Sequence, residues 1–230
     1  MHKNVVCLKY GKKYSSEYVN NLHKMVSRNL QTDHRFVCIT EDSSGLNKEI
    51  EIIGLPKHES IEGWWFKPFI FDPDMPLKGT NLFIDLDVVI FNDIQKLFAY
   101  DVGKFCIIKD FFEKRKGRLG MNSSCFRFEH GTHSNVYYDF IKNHKQIMAS
   151  LHGDQDWIQS AITSNFSYWP ENWIKSFKWE MHKESDIVKR GDEYFIEKDP
   201  CVEAETSIAV FHGLPKPHQI QQAWCKTNWR

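Results

Sequence analysis

The sequence predicts a single α/β domain built on a largely parallel sheet. Short apolar runs typical of buried strands alternate with segments in which apolar residues recur at helical spacing. The length of 230 residues fits one domain, and no repeat, low-complexity segment or linker divides the chain. Regular succession of strand, helix and strand is typical of parallel strands joined by helices.

The first half of the chain carries the regular part of this pattern. Residues 5–8 form an apolar run that predicts the first strand. Residues 15–30 have helical apolar spacing, and Ser15 or Ser16 is suited to cap that helix. The further elements predicted here are strands over 35–40, over 49–53 and within 81–91, and a short helix over 94–100.

The second half is less regular in its hydrophobic pattern. Its predicted elements are strands over 105–108, 124–128 and 208–211, and helices over 134–143 and 154–163. The basic segment 109–118 is expected to be an exposed loop, either a solvated charged turn or a lid over an anionic ligand.

Charge, cysteine content and hydropathy limit the partners and the compartment. Thirty basic residues balance thirty acidic ones, so no global field attracts nucleic acid or an anionic membrane. The six cysteines are scattered without a Cys-x-x-Cys pair, which favours reduced, buried thiols over disulfides or a zinc site. The N-terminus lacks a signal-peptide core and no apolar run is long enough to span a bilayer. We therefore expect a soluble cytoplasmic protein with at most peripheral membrane contact.

The most informative segment is the apolar run 81–91, which contains Asp85 and Asp87. Many Asp-x-Asp pairs lie in solvated loops, but the apolar residues on both sides argue against that here. In a strand the two side chains would project from the same face, where their charges repel each other unless a cation lies between them. A hard divalent ion such as Mn²⁺ or Mg²⁺ relieves this repulsion and bridges a diphosphate. The segment therefore predicts metal-assisted handling of a phosphorylated substrate.

A second candidate segment follows the last predicted strand, at His212. Ligands of open α/β sheets bind beyond the carboxyl ends of the strands, where His212 and the aspartates are both expected. A neutral imidazole is a suitable third ligand for Mn²⁺. Gly213 would allow close approach to a phosphate and Lys216 would neutralise it.

Four motifs in this order resemble the GT-A fold of nucleotide-sugar glycosyltransferases. They are Asp85-x-Asp87, Met121-Asn122-Ser123-Ser124, Gly153-Asp154-Gln155-Asp156 and His212-Gly213-x-x-Lys216-Pro217. The resemblance spans nearly the whole chain and is greatest to glycosyltransferase family 8, which includes glycogenin and bacterial galactosyltransferases. It implies a nucleotide-binding part over about residues 1–100 and a sugar- and acceptor-binding part over about 101–230. The family commonly has glycine in place of Ser124 and tryptophan in place of His218.

The resemblance implies a metal and diphosphate site. Asp85, Asp87 and His212 match the residues that hold Mn²⁺ in this family, with the donor diphosphate bound to the metal. Lys216 and the backbone of Gly213 match the groups that contact the diphosphate.

The resemblance also implies sites for the sugar and the base of the donor. Asn122, Asp154 and Gln155 match positions that bind the donor sugar and flank its anomeric carbon. Lys67 matches a basic residue that touches the donor, and Tyr10 lies where the family cradles uracil.

The function predicted is transfer of a sugar, with retention of anomeric configuration, from a UDP-sugar to a glycan, lipid-linked or protein acceptor. One alternative is a haloacid-dehalogenase-type phosphohydrolase with Asp85 as nucleophile, although that family's nucleophile strand normally opens the domain. Another is a non-catalytic glycan-binding domain with a tryptophan-lined surface. Its candidate tryptophans, for which core packing is the competing interpretation, are Trp64, Trp65, Trp169, Trp173 and Trp224.

Overall fold

A computed structural model describes residues 2–191 and 193–230, without the side chain of Glu193. The strands in chain order are β1 (Lys3–Lys9), β2 (Arg35–Thr40), β3 (Glu51–Gly54), β4 (Thr80–Ile84), β5 (Val88–Ile90), β6 (Phe105–Lys109), β7 (Met121–Glu129), β8 (Phe166–Tyr168), β9 (Ile174–Ser176), β10 (Ile187–Arg190), β11 (Glu193–Ile196) and β12 (Ile208–Val210). The α-helices are α1 (Ser16–Asn29), α2 (Gln95–Ala99), α3 (Phe111–Arg115), α4 (Asn135–Ser150), α5 (Asp154–Ala161), α6 (Phe177–Glu180) and α7 (Ala223–Asn228). Three 3₁₀ helices cover Gly63–Phe71, Glu184–Asp186 and Pro217–Gln219.

The central sheet has seven strands in the order β3-β2-β1-β4-β7-β6-β8. The strands from β3 to β4 are parallel to one another, β7 is antiparallel to both β4 and β6, and β8 is parallel to β6. A three-stranded sheet, β5-β12-β9, and the hairpin β10-β11 lie outside it. The predicted single α/β domain with a mixed, mostly parallel sheet is confirmed.

Apolar side chains of the central sheet pack on both of its faces. In β1, Val5 and Cys7 belong to the cluster that includes the buried face of α1, whereas Val6 belongs to the opposite cluster. That opposite cluster contains Phe69 of the first 3₁₀ helix and Phe140 of α4, whose rings lie 6.4 Å apart. Because successive side chains of a buried strand point to opposite faces, helices pack on both faces of the sheet. The ends of the strands are not covered by these helices.

Most predicted elements occur with shifted ends, and two expectations were wrong. The segment 109–118 contains the last residue of β6 and the helix α3, in which Phe111 is buried, so it is not simply an exposed loop. The run 81–91 is not one strand, because β4 ends at Ile84 and β5 begins at Val88. The elements from β8 to β11 carry too little periodicity to have been predicted.

Five of the six cysteines are buried, as expected of free thiols in a core, and Cys201 is exposed. No helix in the described ranges has both the length and the apolar character needed to cross a bilayer.

Candidate active site

A cleft of about 830 Å³ opens at the carboxyl ends of β1 and β4. Its lining includes every residue to which the sequence assigns a binding or catalytic role. These are Tyr10, Lys67, Asp85, Asp87, Asn122, Asp154, Gln155, His212, Gly213 and Lys216. Segments separated by up to about two hundred residues in sequence therefore meet at the sheet edge where α/β folds bind ligands. The individual roles stay predictions.

Asp85 and Asp87 lie in the turn between β4 and β5, so the strand alternation that predicted a shared face does not apply to them. The backbone N–H of Asp85 donates to the carbonyl of Ser124 over 2.8 Å. The N–H of Phe211 donates to the carbonyl of Asp87 over 2.9 Å, which places the His212 segment beside the aspartates. Both carboxylates line the cleft because of this turn, and not because side chains alternate along a strand.

Lys67 is the buried cation of the site. Its side chain leaves the first 3₁₀ helix, is only 4% exposed as a residue, and reaches under both acidic motifs. The ammonium lies 3.1 Å from Asp85 Oδ1, 2.9 Å from Asp154 Oδ2 and 3.0 Å from Ser123 Oγ. Burial alone would lower the pKa of Lys67, but the charges of Asp154 and Asp85 outweigh it and the pKa is raised. The lysine therefore stays charged and ties the two acidic motifs together.

Burial raises the pKa of Asp85, while the charge of Lys67 opposes that shift and the charge of Asp87 adds to it. The two carboxylates thus repel each other across the turn, as the sequence predicted.

Asp87 is held by two groups from distant segments. Its Oδ2 accepts a hydrogen bond from the Tyr14 hydroxyl over 2.9 Å and forms an ion pair with Lys216 Nζ. Lys216 also donates to the carbonyl of Phe211 over 3.1 Å. Burial, followed by the charge of Asp87, raises the pKa of Tyr14, so its phenol remains a donor. Sequence reasoning missed Tyr14, because nothing in the segment around it indicates a partner 73 residues away.

His212 is a neutral, packed imidazole at physiological pH. Its Nε2 lies 2.6 Å from Ser176 Oγ, and its ring is stacked on Phe111 with centroids 5.7 Å apart. Burial, followed by the charge of Lys178, lowers the pKa of His212 to about 4. The neutral ring is the form that ligates a metal.

The second and third motifs lie at the start of β7 and of α5. Asn122 Oδ1 accepts from the backbone N–H of Ser124 over 3.1 Å. Ser123 Oγ donates to Asp154 Oδ2 over 2.6 Å. Asp154 is 7% exposed, and its neighbour Gln155 faces the cleft. The carboxylate of Asp154 is therefore fixed by a serine and a lysine.

Two aromatic side chains, Tyr10 and Trp64, line the cleft and differ in their packing. Tyr10 packs against Phe66 with centroids 4.8 Å apart and lines the cleft beyond β1. Trp64 is 51% exposed at the cleft and approaches Lys13, whose ammonium lies 5.9 Å from its ring. The other candidate tryptophans are buried or partly buried in the apolar clusters, which confirms core packing for Trp65 and Trp169.

The side chains at this cleft match a divalent cation site in their chemistry but not in their spacing. Two carboxylates and a neutral imidazole facing one cleft match the donors that Mn²⁺ takes, and like charges at Asp85 and Asp87 favour a cation between them. In the described ranges no three His, Cys, Asp or Glu side chains are close enough to hold a metal. The chemistry of the donors fits the ion, and in this structure Asp87 is paired with Lys216 instead.

The fold is shared with solved glycosyltransferases. The glycosyltransferase GlyE of Streptococcus pneumoniae TIGR4 aligns with a TM-score of 0.60 and 14% identity, over 76% of this chain and 47% of that one. The galactosyltransferase LgtC, solved with donor and acceptor sugar analogues, aligns with a TM-score of 0.62 and 15% identity, over 98% and 91%. The bifunctional glycosyltransferase WbbM aligns with a TM-score of 0.60 and 12% identity, over 94% and 46%.

These likenesses establish the fold, and their low identities establish no more. No family model and no curated protein matches the chain. The chain spans about half the length of GlyE and of WbbM and nearly all of LgtC. The predicted GT-A fold is confirmed, while the assignment to family 8 stays a prediction.

Proposed function

We propose that this protein is a metal-dependent glycosyltransferase of family 8 type that moves a sugar from a UDP-sugar to an acceptor. One observation carries the proposal: four separate motifs converge on one cleft in a fold shared with solved glycosyltransferases. The buried free thiols favour a cytoplasmic site of action. Because LgtC was solved with donor and acceptor sugar analogues, its similarity over nearly the whole chain supports two-substrate chemistry.

In this proposal Asp85, Asp87 and His212 hold Mn²⁺ or Mg²⁺. The ion, when bound, supplies a Lewis acid that neutralises charge on the departing diphosphate. Lys216 exchanges its ion pair with Asp87 for one with the diphosphate. Gly213, whose φ is +67°, gives the backbone the left-handed turn that lets it approach a phosphate.

The sugar and base of the donor bind on either side of this centre. Asn122 and Gln155 hydrogen-bond the sugar, and Asp154 positions it, since its carboxylate is already engaged by Lys67 and Ser123. This engagement argues against Asp154 as a covalent nucleophile and agrees with retention without a glycosyl-enzyme. Tyr10 contacts the base beyond β1.

Calorimetric titration of UDP and of GDP, with and without Mn²⁺, tests the proposal directly. We expect UDP to bind at least about tenfold more tightly with the metal, because the diphosphate then meets a cation as well as Lys216. Incubation with a panel of UDP-sugars and acceptors then shows whether the protein releases UDP or inorganic phosphate. Absence of UDP binding in every condition would contradict the proposal. Phosphate release would favour the phosphohydrolase, and binding without turnover would favour the non-catalytic glycan-binding domain.

Trp64 is expected to contact the acceptor, which is a glycan, a lipid-linked acceptor or a protein. Sugar rings stack their C–H faces on exposed indoles, and Trp64 offers such a face at the cleft rim. Trp64→Ala should raise the KM for acceptor about three- to tenfold and leave the Kd for UDP unchanged. Trp64→Phe, which keeps an aromatic face, is the control. A rise in the Kd for UDP instead would assign Trp64 to the donor.

A further inference from the structure

Lys178 is a buried cation outside the motifs that the sequence singled out. It lies in α6, two residues beyond Ser176, and is 7% exposed. Its ammonium donates to the carbonyl of Leu214 over 3.0 Å and lies 4.3 Å from the centroid of the Tyr194 ring. Among the side chains that the structure describes, no carboxylate lies within 4.0 Å of it.

Burying the charged ammonium of Lys178 costs free energy unless an anion lies close to it. A buried ammonium is normally paired with carboxylates, as Lys67 is with Asp85 and Asp154. The described partners of Lys178 are a carbonyl and the rings of Tyr194 and Trp179, and a second lysine, Lys216, is close enough to affect its pKa. Burial, followed by the charge of Lys216, lowers the pKa of Lys178. Two lysines therefore act on the segment 212–216, and of the two the described side chains pair only Lys216 with a carboxylate, that of Asp87.

Gly213, which lines the cleft, has no side chain to separate its backbone from the ammonium of Lys178. A Cβ built on Gly213 would lie 3.8 Å from Lys178 Nζ, so the ammonium faces the backbone of a residue that lines the cleft. Lys178 also fixes the next residue through the Leu214 carbonyl. The ammonium of Lys178 thus lies against the backbone of the segment that also carries Lys216.

We propose that Lys178 is a positioning residue for the donor diphosphate, which holds the segment 212–216 through Leu214 and adds positive potential behind Gly213. The inference rests on the proposed function and adds a second cation to the diphosphate site. A bound diphosphate would relieve both the burial cost of Lys178 and its repulsion from Lys216. Lys178 would therefore matter to the phosphates and not to the nucleoside.

The test compares Lys178→Met and Lys178→Gln with the native protein in calorimetric titrations of uridine, UMP and UDP at a fixed Mn²⁺ concentration. Both variants should bind UDP about tenfold more weakly, because they lose one positive charge close to the diphosphate. They should bind uridine, which has no phosphate, with unchanged affinity. Glutamine retains a donor for the Leu214 carbonyl, so it separates the charge from the hydrogen bond. Lys178→Arg, which keeps the charge, should recover part of the UDP affinity.

Lys9→Met is the matched control. Lys9 is 5% exposed, donates to one backbone carbonyl, that of Asp42, over 3.4 Å, and does not line the cleft. Its replacement should leave the ratio of UDP to uridine affinity unchanged.

The outcomes separate this inference from the proposed function. If the native protein binds no UDP, the proposed function fails. If the native protein binds UDP and Lys178→Gln binds it equally well, only the inference about Lys178 fails. Equal weakening of uridine and UDP would also overturn it, because a general loosening of the fold has no preference for phosphates.

Discussion

Replacing Asp87 by asparagine is expected to lower kcat/KM for sugar transfer by about a thousandfold, the loss that removal of one electrostatic group from an active site produces. Asparagine keeps the size of the side chain and an acceptor for the Tyr14 hydroxyl. It removes the charge that pairs with Lys216 and that would bind the divalent ion. The fold should persist, because the backbone carbonyl of Asp87 still accepts from Phe211.

Steady-state transfer assays over a range of Mn²⁺ concentrations give the measurement, with far-ultraviolet circular dichroism to verify folding. Asp93→Asn is the control, since Asp93 is an exposed acid that accepts from the N–H of Gln95 and lies outside the cleft. It should have the kinetics of the native protein. Metal-dependent transfer by Asp87→Asn at the native rate would show that Asp87 is not a ligand.

The case of Asp87 also shows how far the sequence could predict the site. The short motifs identified the carboxylates, the histidine and Lys216 because each has its own local pattern. Their partners have none: Tyr14 reaches Asp87 from 73 residues away, and Ser176 reaches His212 from 36. Contacts of that range depend on the register of the whole sheet, which local periodicity does not determine.

The placement of Asp85 and Asp87 at one cleft was predicted in part from a wrong local geometry. Alternation along one strand was the reason to place Asp85 and Asp87 on a common face, yet both lie in the turn after β4. The apolar residues on either side of the turn belong to two different strands in two different sheets. A continuous apolar run does not reveal such a break, because the turn contains no glycine or proline.

The resemblance named Lys67 as a residue that touches the donor, but no local pattern indicates its ion pairs with Asp85 and Asp154, because they depend on its burial. The sequence around it, Gly63–Phe71, is mostly aromatic and forms a 3₁₀ helix against the α4 side of the sheet. Only the folded arrangement places its ammonium beneath two acidic motifs that are 69 residues apart in sequence (154 − 85).

Lys67→Met is accordingly expected to have the largest effect on stability, about 3–5 kcal/mol at pH 7. Methionine preserves most of the volume but leaves the half-buried Asp85 and the buried Asp154 without this cation. Breaking a buried ion pair from one side costs more than the pair contributes, because the remaining charge stays desolvated. The double variant Lys67→Met with Asp154→Asn removes one of the two stranded charges and should recover part of the loss.

The cost of Lys67→Met should depend on pH in a defined direction. Burial already raises the pKa of Asp85, and removing the ammonium takes away the charge that opposes this shift, so the pKa rises further above its value of about 4 in the unfolded chain. A group with a raised pKa in the fold favours folding at low pH, and this contribution is lost as the pH rises through the folded pKa. In the native protein this loss is smaller, because the raised pKa of Lys67 keeps the ammonium charged throughout the neutral range and its charge opposes the shift at Asp85.

Urea unfolding of the native protein, the single variant and the double variant at pH 4, 5.5 and 7 measures this dependence. The difference in unfolding free energy between the native protein and Lys67→Met should be smallest at pH 4 and grow toward pH 7, by at most about 1.4 kcal/mol per pH unit for each proton released. A cost that is equal at pH 4 and pH 7 would mean that the carboxylates find other partners when Lys67 is absent. In that case the ammonium would not be what holds the Asp85 turn and the start of α5 at one cleft.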